Sequence, residues 1–330
     1  MDLGDLIGRT APFNRARDEV NVPMIRRWCD VMGVENPVHT DTDYAARSVF
    51  GGIVAPMAML DVWDKPGIIF ERDEDNPQGA ALSILDKAGF TSTVAVNSDL
   101  EQARYLRPGE WVHSTLTLED VSAEKQTGLG TGHFVTSRIR YLVGDEDIGS
   151  VLFRVLKFAP GTGRPASGGG DGRSADAVST GEEWQYRTTT RAAGEVAVEQ
   201  ALPALAIPIS ATLIIGGALM TLDYFDGHHD RDMAVQRGSK DIFMNIHTAL
   251  GLVERYVGGW AGPDAIWRTI TARLGASNYP GDTMTMSGAV TNADPSTGVV
   301  IVAYRGMNAL GPHITGTVEL VLPGGSAYTL

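Results

Sequence analysis

The apolar and polar positions of this chain follow one order of elements twice. In the first half, helical spacing over residues 24–32 precedes an apolar run over 50–63, and in the second half a core helix pattern ending at Asp223 precedes an apolar run over 241–257. The run over 50–63 is apolar on nearly every face, and a helix of that kind must be buried. The pattern therefore predicts one long buried helix in each half.

Stretches that alternate between apolar and polar residues follow each predicted helix, and short turns separate them. A long buried helix with an antiparallel sheet wrapped around it is the hot-dog arrangement. The sequence thus predicts an α+β protein with a double hot-dog fold, in which two antiparallel sheets each wrap around a long central helix. The predicted strands are 111–121, 133–143 and 148–158 in the first half, and 283–291, 299–306 and 313–322 in the second.

A polar, Gly-rich stretch divides the two repeats. Residues 160–180 cannot bury an apolar face, so we predict a flexible linker there. The predicted domains are an N-terminal hot-dog at 1–159 and a C-terminal hot-dog at 181–330. A chain of 330 residues has room for two domains of ordinary size.

The charge balance and the cysteine count exclude several partners and bonds. The net charge is −13 and no dense Lys or Arg run is present, which argues against nucleic acid. Cys29 is the single cysteine, so no disulfide can form within the chain, and a reducing cytoplasm fits. The apolar run over 202–222 is interrupted by Pro and Gly, and the N-terminus lacks signal-peptide features. We expect a cytoplasmic protein that binds neither nucleic acid nor membranes.

An acid and a histidine five positions apart, Asp223 and His228, are the strongest candidates for chemistry. The spacing alone is a weak signal, since His228 with His229 could form an ordinary surface loop. A second copy strengthens it, because Val34 and His39 stand in the same frame. The positions after the histidine match as well: Asp41, Asp43 and Ala45 correspond to Asp230, Asp232 and Ala234.

The first copy keeps the histidine without the acid. Val34 cannot orient a water or take a proton, so we interpret Val34, Asn36 and His39 as a vestigial site, with Asn36 bracing its loop. The complete pair, Asp223 and His228, is then the predicted catalytic site.

The Asp-x-x-x-x-His frame resembles that of the MaoC-like (R)-specific enoyl-CoA hydratases, also called hydratase 2. More narrowly, the two halves resemble the larger and smaller subunits of the actinobacterial steroid side-chain enoyl-CoA hydratase, fused in one chain. The segments that carry this resemblance are 22–26, 52–56, 85–90 and 104–110 for the larger subunit, and 228–232, 238–243 and 255–257 for the smaller one.

The resemblance implies a lyase that hydrates an α,β-unsaturated acyl-CoA to a 3-hydroxyacyl-CoA, most specifically a steroid enoyl-CoA in sterol side-chain degradation. It implies that the first half accommodates substrate while Asp223 and His228 bind the water and move the protons. The thioester oxygen would be held by backbone amides near Gly238 or at the helix entry around Asn245 and Ile246. Arg231 and Lys240 are candidates for contacts with the coenzyme A phosphates, and a solvated surface charge is the equal alternative for each. We expect no metal and no cofactor beyond the coenzyme A of the substrate.

Two alternatives stay open at this point. One is a (3R)-hydroxyacyl dehydratase or enoyl hydratase for linear acyl thioesters, and the other is a non-catalytic acyl-CoA-binding hot-dog protein. We expect a homodimer. The larger subunit of the steroid enzyme can carry a zinc-binding domain that docks an aldolase, and a chain with one cysteine has none, so the resemblance gives no ground for an aldolase partner.

Overall fold

The strands form one antiparallel sheet that runs through both halves. A computed structural model describes residues 3–68, 75–163 and 182–330. The strand order is β1-β3-β5-β6-β2-β8-β11-β10-β9-β7, with β4 beside β5. The strands are β1 (Asn14–Arg15), β2 (Ser92–Gln102), β3 (Val112–Val121), β4 (Lys125–Gln126), β5 (Thr131–Val143), β6 (Glu146–Phe158), β7 (Ala201–Pro208), β8 (Ile266–Leu274), β9 (Thr283–Ala293), β10 (Val299–Asn308) and β11 (Gly311–Val321).

The two halves repeat the same arrangement on either side of the strand pair β2 and β8. These strands pair antiparallel, with Leu100 opposite Ile270, so the two predicted sheets are joined edge to edge. On each side the order of strands outward from this junction is the same. All six predicted strands are present, whereas β1, β2, β4, β7 and β8 were not predicted.

Seven α-helices lie in the described part of the chain. They are α1 (Val22–Met32), α2 (Pro37–Thr40), α3 (Thr42–Arg47), α4 (Pro77–Lys87), α5 (Ala211–Met220), α6 (Arg231–Gln236) and α7 (Ile246–Ala261). Single 3₁₀ turns occur at Gly4–Leu6, Met57–Met59, Ala193–Glu195 and Asp226–His228. None of the described helices is long and apolar enough to cross a membrane.

Helix α7 is the central helix of the second half, and every residue in it except Arg255 is buried. It begins at Ile246 rather than at the predicted residue 241, because Asn245 caps it by accepting from Thr248 N–H at 2.8 Å. Helix α5 lies close against α7 at Gly217, where a Cβ would stand 2.1 Å from Thr248 Oγ1. Before the cap, Phe243 N–H donates to Gly227 C=O at 3.1 Å, which holds this segment against the loop that follows α5.

The predicted central helix of the first half is wrong. Only the 3₁₀ turn Met57–Met59 forms there, followed by irregular turns. Pro66 and Gly67 come too soon for a long helix, since Pro disfavours helical backbone in the residue before it. Helix α4 covers the rest of the inner sheet face through a separate apolar cluster of Leu6, Ala81, Leu85, Leu118, Val135 and Val155.

The predicted linker falls mostly on residues that the structure does not describe. Residues 160–163 are described, and 164–180 lie outside the described ranges. The domain limits at 159 and 181 therefore stay predictions.

Candidate active site

Asp223 and His228 come together in the loop that follows helix α5. Leu222 takes a left-handed backbone conformation, with φ of 53°, which turns the chain back as the helix ends. Asp223 N–H then donates to Ala218 C=O at 2.9 Å, and the 3₁₀ turn Asp226–His228 places the histidine. The result is that Asp223 Oδ2 and His228 Nε2 lie 3.5 Å apart.

His228 is buried and oriented by a backbone carbonyl. Its Nδ1–H donates to the C=O of Phe243 at 2.7 Å. Burial lowers the pKa of His228 below its ordinary value, although Asp223 and the Phe243 carbonyl act in the opposite direction. The neutral ring with its proton on Nδ1 leaves Nε2 as an acceptor facing Asp223.

Asp223 is held as a carboxylate by its neighbours. Burial alone would raise its pKa, but the charges of His228 and His247 and the Asn245 amide outweigh burial, so the pKa lies below its ordinary value. Asn245 Nδ2 donates to Asp223 Oδ2 at 3.0 Å and also contacts Thr221 Oγ1 at 2.9 Å. The same residue that caps α7 therefore positions the acid.

A separation of 3.5 Å leaves both atoms of the pair within reach of one water molecule. A water about 2.8 Å from each can donate one hydrogen bond to Asp223 Oδ2 and one to His228 Nε2. This arrangement can orient a water for attack and accept its proton.

The N-terminus of α7 lies beside this pair and offers unused donors. Thr248 N–H is taken by the Asn245 side chain. Among the described residues, no acceptor lies within hydrogen-bond distance of the N–H groups of Ile246 and His247. Free amides at a helix N-terminus favour negative charge on a nearby oxygen.

Gly238 does not share this position. It is exposed, and its N–H donates to Val235 C=O at 2.9 Å, so this amide is already occupied. The structure thus brings Asn245 and Ile246 to the pair and leaves Gly238 outside it.

The first half repeats the histidine anchor. His39 Nδ1–H donates to Val54 C=O at 2.8 Å, fifteen residues further along, as His228 does to Phe243. Burial lowers the pKa of His39 to about 4. Val34 is buried where Asp223 stands in the second copy, so no carboxylate faces this ring from that position. Asn36 caps α2 by accepting from Val38 N–H at 3.0 Å, which agrees with its predicted bracing role.

The amides of the first copy are occupied by a side chain from the second half. The frame offset is 228 − 39 = 189, so Met57 and Ala58 correspond to Ile246 and His247. Glu254 of helix α7 accepts from Met57 N–H at 3.1 Å and from Ala58 N–H at 2.9 Å. Burial raises the pKa of Glu254 to about 7.

The remaining candidate residues lie on the surface near the loop. Arg231 has a side chain 72% exposed, 3.6 Å from Asp241, and Lys240 stands over the ring of Tyr279 at 5.0 Å. Asp226, the other acid of the loop, pairs with Arg237 at 2.7 Å and is thereby set apart from Asp223. Within the described ranges, no group of three or more His, Cys, Asp or Glu side chains is arranged to hold a metal ion.

Three residues at or near the site were missed by the sequence analysis: Asp61, His247 and Glu254. The contacts that they make join the two halves, across 196 and 197 positions for Glu254. Local hydrophobic periodicity and residue spacing do not reveal contacts between residues so far apart in the sequence.

Known proteins of related sequence match parts of this chain. Residues 6–148 match the FAS1-like dehydratase region. The chain is 43% identical over 152 residues to the 3-oxo-4,17-pregnadiene-20-carboxyl-CoA hydratase alpha subunit of Mycobacterium tuberculosis, covering 46% of this chain and 49% of that subunit. It is 51% identical over 119 residues to the beta subunit of the same hydratase, covering 36% of this chain and 91% of that subunit. The chain therefore spans about half of the alpha subunit and most of the beta subunit.

Solved structures show the same fold. A MaoC-like dehydratase superposes with a TM-score of 0.72 at 18% identity, over 97% of this chain and 99% of that one. A conserved hypothetical protein of M. tuberculosis with a double hot-dog fold superposes with a TM-score of 0.62 at 14% identity, over 97% of each chain. The predicted double hot-dog fold is confirmed. The chain combines sequence similar to both hydratase subunits, and it belongs to the family of the beta subunit, 91% of which it covers at 51% identity.

Proposed function

We propose that this protein is a lyase that adds water across the α,β-double bond of an acyl-CoA thioester and forms a 3-hydroxyacyl-CoA. The observation that carries the proposal is the pair Asp223 and His228, 3.5 Å apart beside the free N-terminal amides of a buried helix. A base, a proton donor and a holder for the thioester oxygen are what this addition requires.

The roles follow from the environment of each group. Asp223 and His228 hold the water, and His228 Nε2 takes one proton as the water oxygen bonds to the β-carbon. The electrons of the double bond move toward the thioester oxygen, which the amides of Ile246 and His247 stabilise as it becomes negative. The α-carbon then takes a proton from the pair, so the elements of one water are added and no redox step is needed.

We propose a steroid enoyl-CoA with a shortened side chain as the substrate. The names of the alpha and beta subunit relatives denote such a thioester. The short turn Met57–Met59 adds support, because flexible Met57 and Met59 side chains stand where the second half has a long helix. Burying a rigid ring system would contribute several kcal/mol at roughly 25 cal/mol per Å².

The test is hydration of two thioesters by the purified chain. The CoA thioester of 3-oxo-4,17-pregnadiene-20-carboxylate and crotonyl-CoA are each incubated with the protein, and the loss of enoyl absorbance and gain of one water in mass are followed. We expect a much higher kcat/KM for the steroid thioester. Equal or better turnover of crotonyl-CoA would leave a general (R)-specific hydratase, and hydration of neither would overturn the proposal.

The proposal also covers the cofactor, the cellular location and the oligomeric state of the protein. Coenzyme A enters as part of the substrate and no other cofactor is required, with Arg231 and Lys240 as exposed cations for its phosphates. We expect a cytoplasmic homodimer. Light scattering should give twice the chain mass of 35.2 kDa, and activity should survive treatment with a chelator.

A further inference from the structure

Asp61 and His247 form a buried ion pair between the two halves. Asp61 lies in the turns that follow Met57–Met59, and His247 is the second residue of α7. Asp61 Oδ2 is 3.2 Å from His247 Nδ1, and their side chains are 2% and 6% exposed. A buried charge of this kind must be compensated, so the two side chains depend on each other.

The surroundings favour the ionised form of Asp61. Burial alone would raise the pKa of Asp61, but the charges of His247 and Lys65 outweigh burial and lower it to about 2. Lys65 Nζ lies 3.9 Å from Asp61 Oδ2, and Phe153 of β6 stacks on the His247 ring with centroids 6.4 Å apart. Asp64, whose Oδ2 accepts from Ser114, is a further acid facing Asp61.

His247 also acts on the catalytic pair. Its backbone N–H is one of the two free donors at the start of α7, and its side-chain charge lowers the pKa of both Asp223 and His228. The other charged groups on that pair are Lys65 for Asp223 and His229 for His228. A cation fixed here would favour the ionised acid.

We propose that His247, held by Asp61 of the first half at the start of α7, is a positioning residue for the pair Asp223 and His228 in hydration. The inference rests on the proposed role of Asp223 and His228 with the attacking water. It gives the first half a part in the reaction besides holding substrate, because a carboxylate from that half holds the His247 side chain at the start of α7.

The first readout is the pH dependence of kcat/KM for the steroid thioester. His247→Gln removes the ring whose charge lowers the pKa of Asp223, so the acid limb of the profile should move up by about half a pH unit or more. Asp61→Asn should move it the same way, because His247 loses its counter-charge. The double variant should match His247→Gln alone, since both changes remove one interaction.

The second readout does not depend on activity. Titration of the His228 ring, followed by NMR in the protein without substrate, should move to higher pH in His247→Gln, because the ring whose charge lowers the pKa of His228 is gone. His313→Gln is the matched control: His313 is equally buried on β11, donates from Nδ1 to Ala276 C=O at 2.7 Å, and should change neither readout.

The outcomes separate the two proposals. If the unmodified chain hydrates no thioester, the proposed function fails, and the His228 titration still decides whether His247 is coupled to the pair. If the chain hydrates the steroid thioester while His247→Gln and Asp61→Asn leave both the acid limb and the titration unmoved, this inference is overturned. Thermal unfolding of each variant confirms that the fold is retained.

Discussion

The His228 loop and the His39 loop share one anchor and an aspartate cap on the helix that follows, but they differ at the acid and amide positions. Each histidine donates from Nδ1 to a carbonyl fifteen residues ahead, at 2.7 Å and 2.8 Å. In the second half an acid and an amide side chain complete the loop, whereas Val34 and Pro56 stand at the matching positions. The anchor is therefore a structural feature of the repeated module, and the chemistry depends on Asp223 and Asn245.

The backbone N–H groups at the start of α7 and those at the turn Met57–Met59 also differ in whether they are occupied. The amides of Ile246 and His247 are free among the described residues, while those of Met57 and Ala58 are bound by Glu254. Because Glu254 belongs to α7, the central helix of the second half closes the donor pair of the first half. One chain should then contain one hydration site.

The largest loss of hydration activity is expected when Asp223 or His228 itself is changed. Asp223→Asn and His228→Ala should each lower hydration at least about a hundredfold, the usual scale for loss of a positioned acid or base. The fold should survive, because Asn keeps the shape of Asp and because the His228 ring stands at the edge of the core. Steady-state kcat/KM and circular dichroism of each variant check this.

Asp226→Asn is the matched control for the acid. Asp226 lies three residues away in the same loop and pairs with Arg237 rather than with His228. Near-normal hydration by Asp223→Asn together with a large loss in Asp226→Asn would show that the frame has been assigned to the wrong acid.

Asn245 should give the next largest effect, and its two roles can be separated. Asn245→Ser keeps an N-cap acceptor and loses the donor to Asp223, so we expect about tenfold lower kcat with little change in unfolding temperature. Asn245→Ala loses both, which should lower stability by about a further 1 kcal/mol. Equal kcat for Asn245→Ser and the unmodified chain would show that the donor to Asp223 is unimportant.

Local patterns predict the elements that repeat. The strands alternate clearly enough to be placed within a few residues, and α7 shows its apolar period, so the double hot-dog followed from the sequence. The acid and histidine could be found because the two copies of the frame could be compared, and the structure brings Asp223 and His228 together.

Local sequence patterns fail where a long-range contact or a helix cap determines which element forms. Apolarity over 50–63 predicts burial correctly but not a helix, because Pro66 ends the segment and α4 supplies the missing cover. The start of α7 depends on the Asn245 cap, which outweighs the helical spacing before it. Asp61 with His247 and Glu254 with Ala58 meet only in the folded chain.

Glu254 should give a smaller effect, on stability and its pH dependence. Its pKa is raised from 4.5 to about 7 in the folded protein, so its contribution is fully present below about pH 4.5 and is lost as pH rises through about 7. The unmodified chain should therefore lose on the order of 2 to 3 kcal/mol between pH 5 and 8, relative to Glu254→Gln.

Urea unfolding at pH 5 and at pH 8 measures this difference. Glu124→Gln, a change at an exposed glutamate, is the control and should behave like the unmodified chain. A parallel pH dependence of the unmodified chain and Glu254→Gln would show that Glu254 does not titrate in this range, and that its hold on Met57 and Ala58 is independent of pH.

The smallest effect on turnover is expected at His39. Its ring is neutral at ordinary pH, because burial lowers its pKa to about 4, and Val34 offers it no acid with which to orient a water. His39→Ala should therefore leave kcat within about twofold of the unmodified chain, while the lost hydrogen bond to Val54 lowers stability by about 1 to 3 kcal/mol. His39→Gln, whose amide can still donate to Val54, serves if the alanine variant unfolds. Parallel assays of His39 and His228 variants on the steroid thioester decide the matter: a loss at His39 as large as at His228, in a protein that remains folded, would mean that both halves carry out the chemistry.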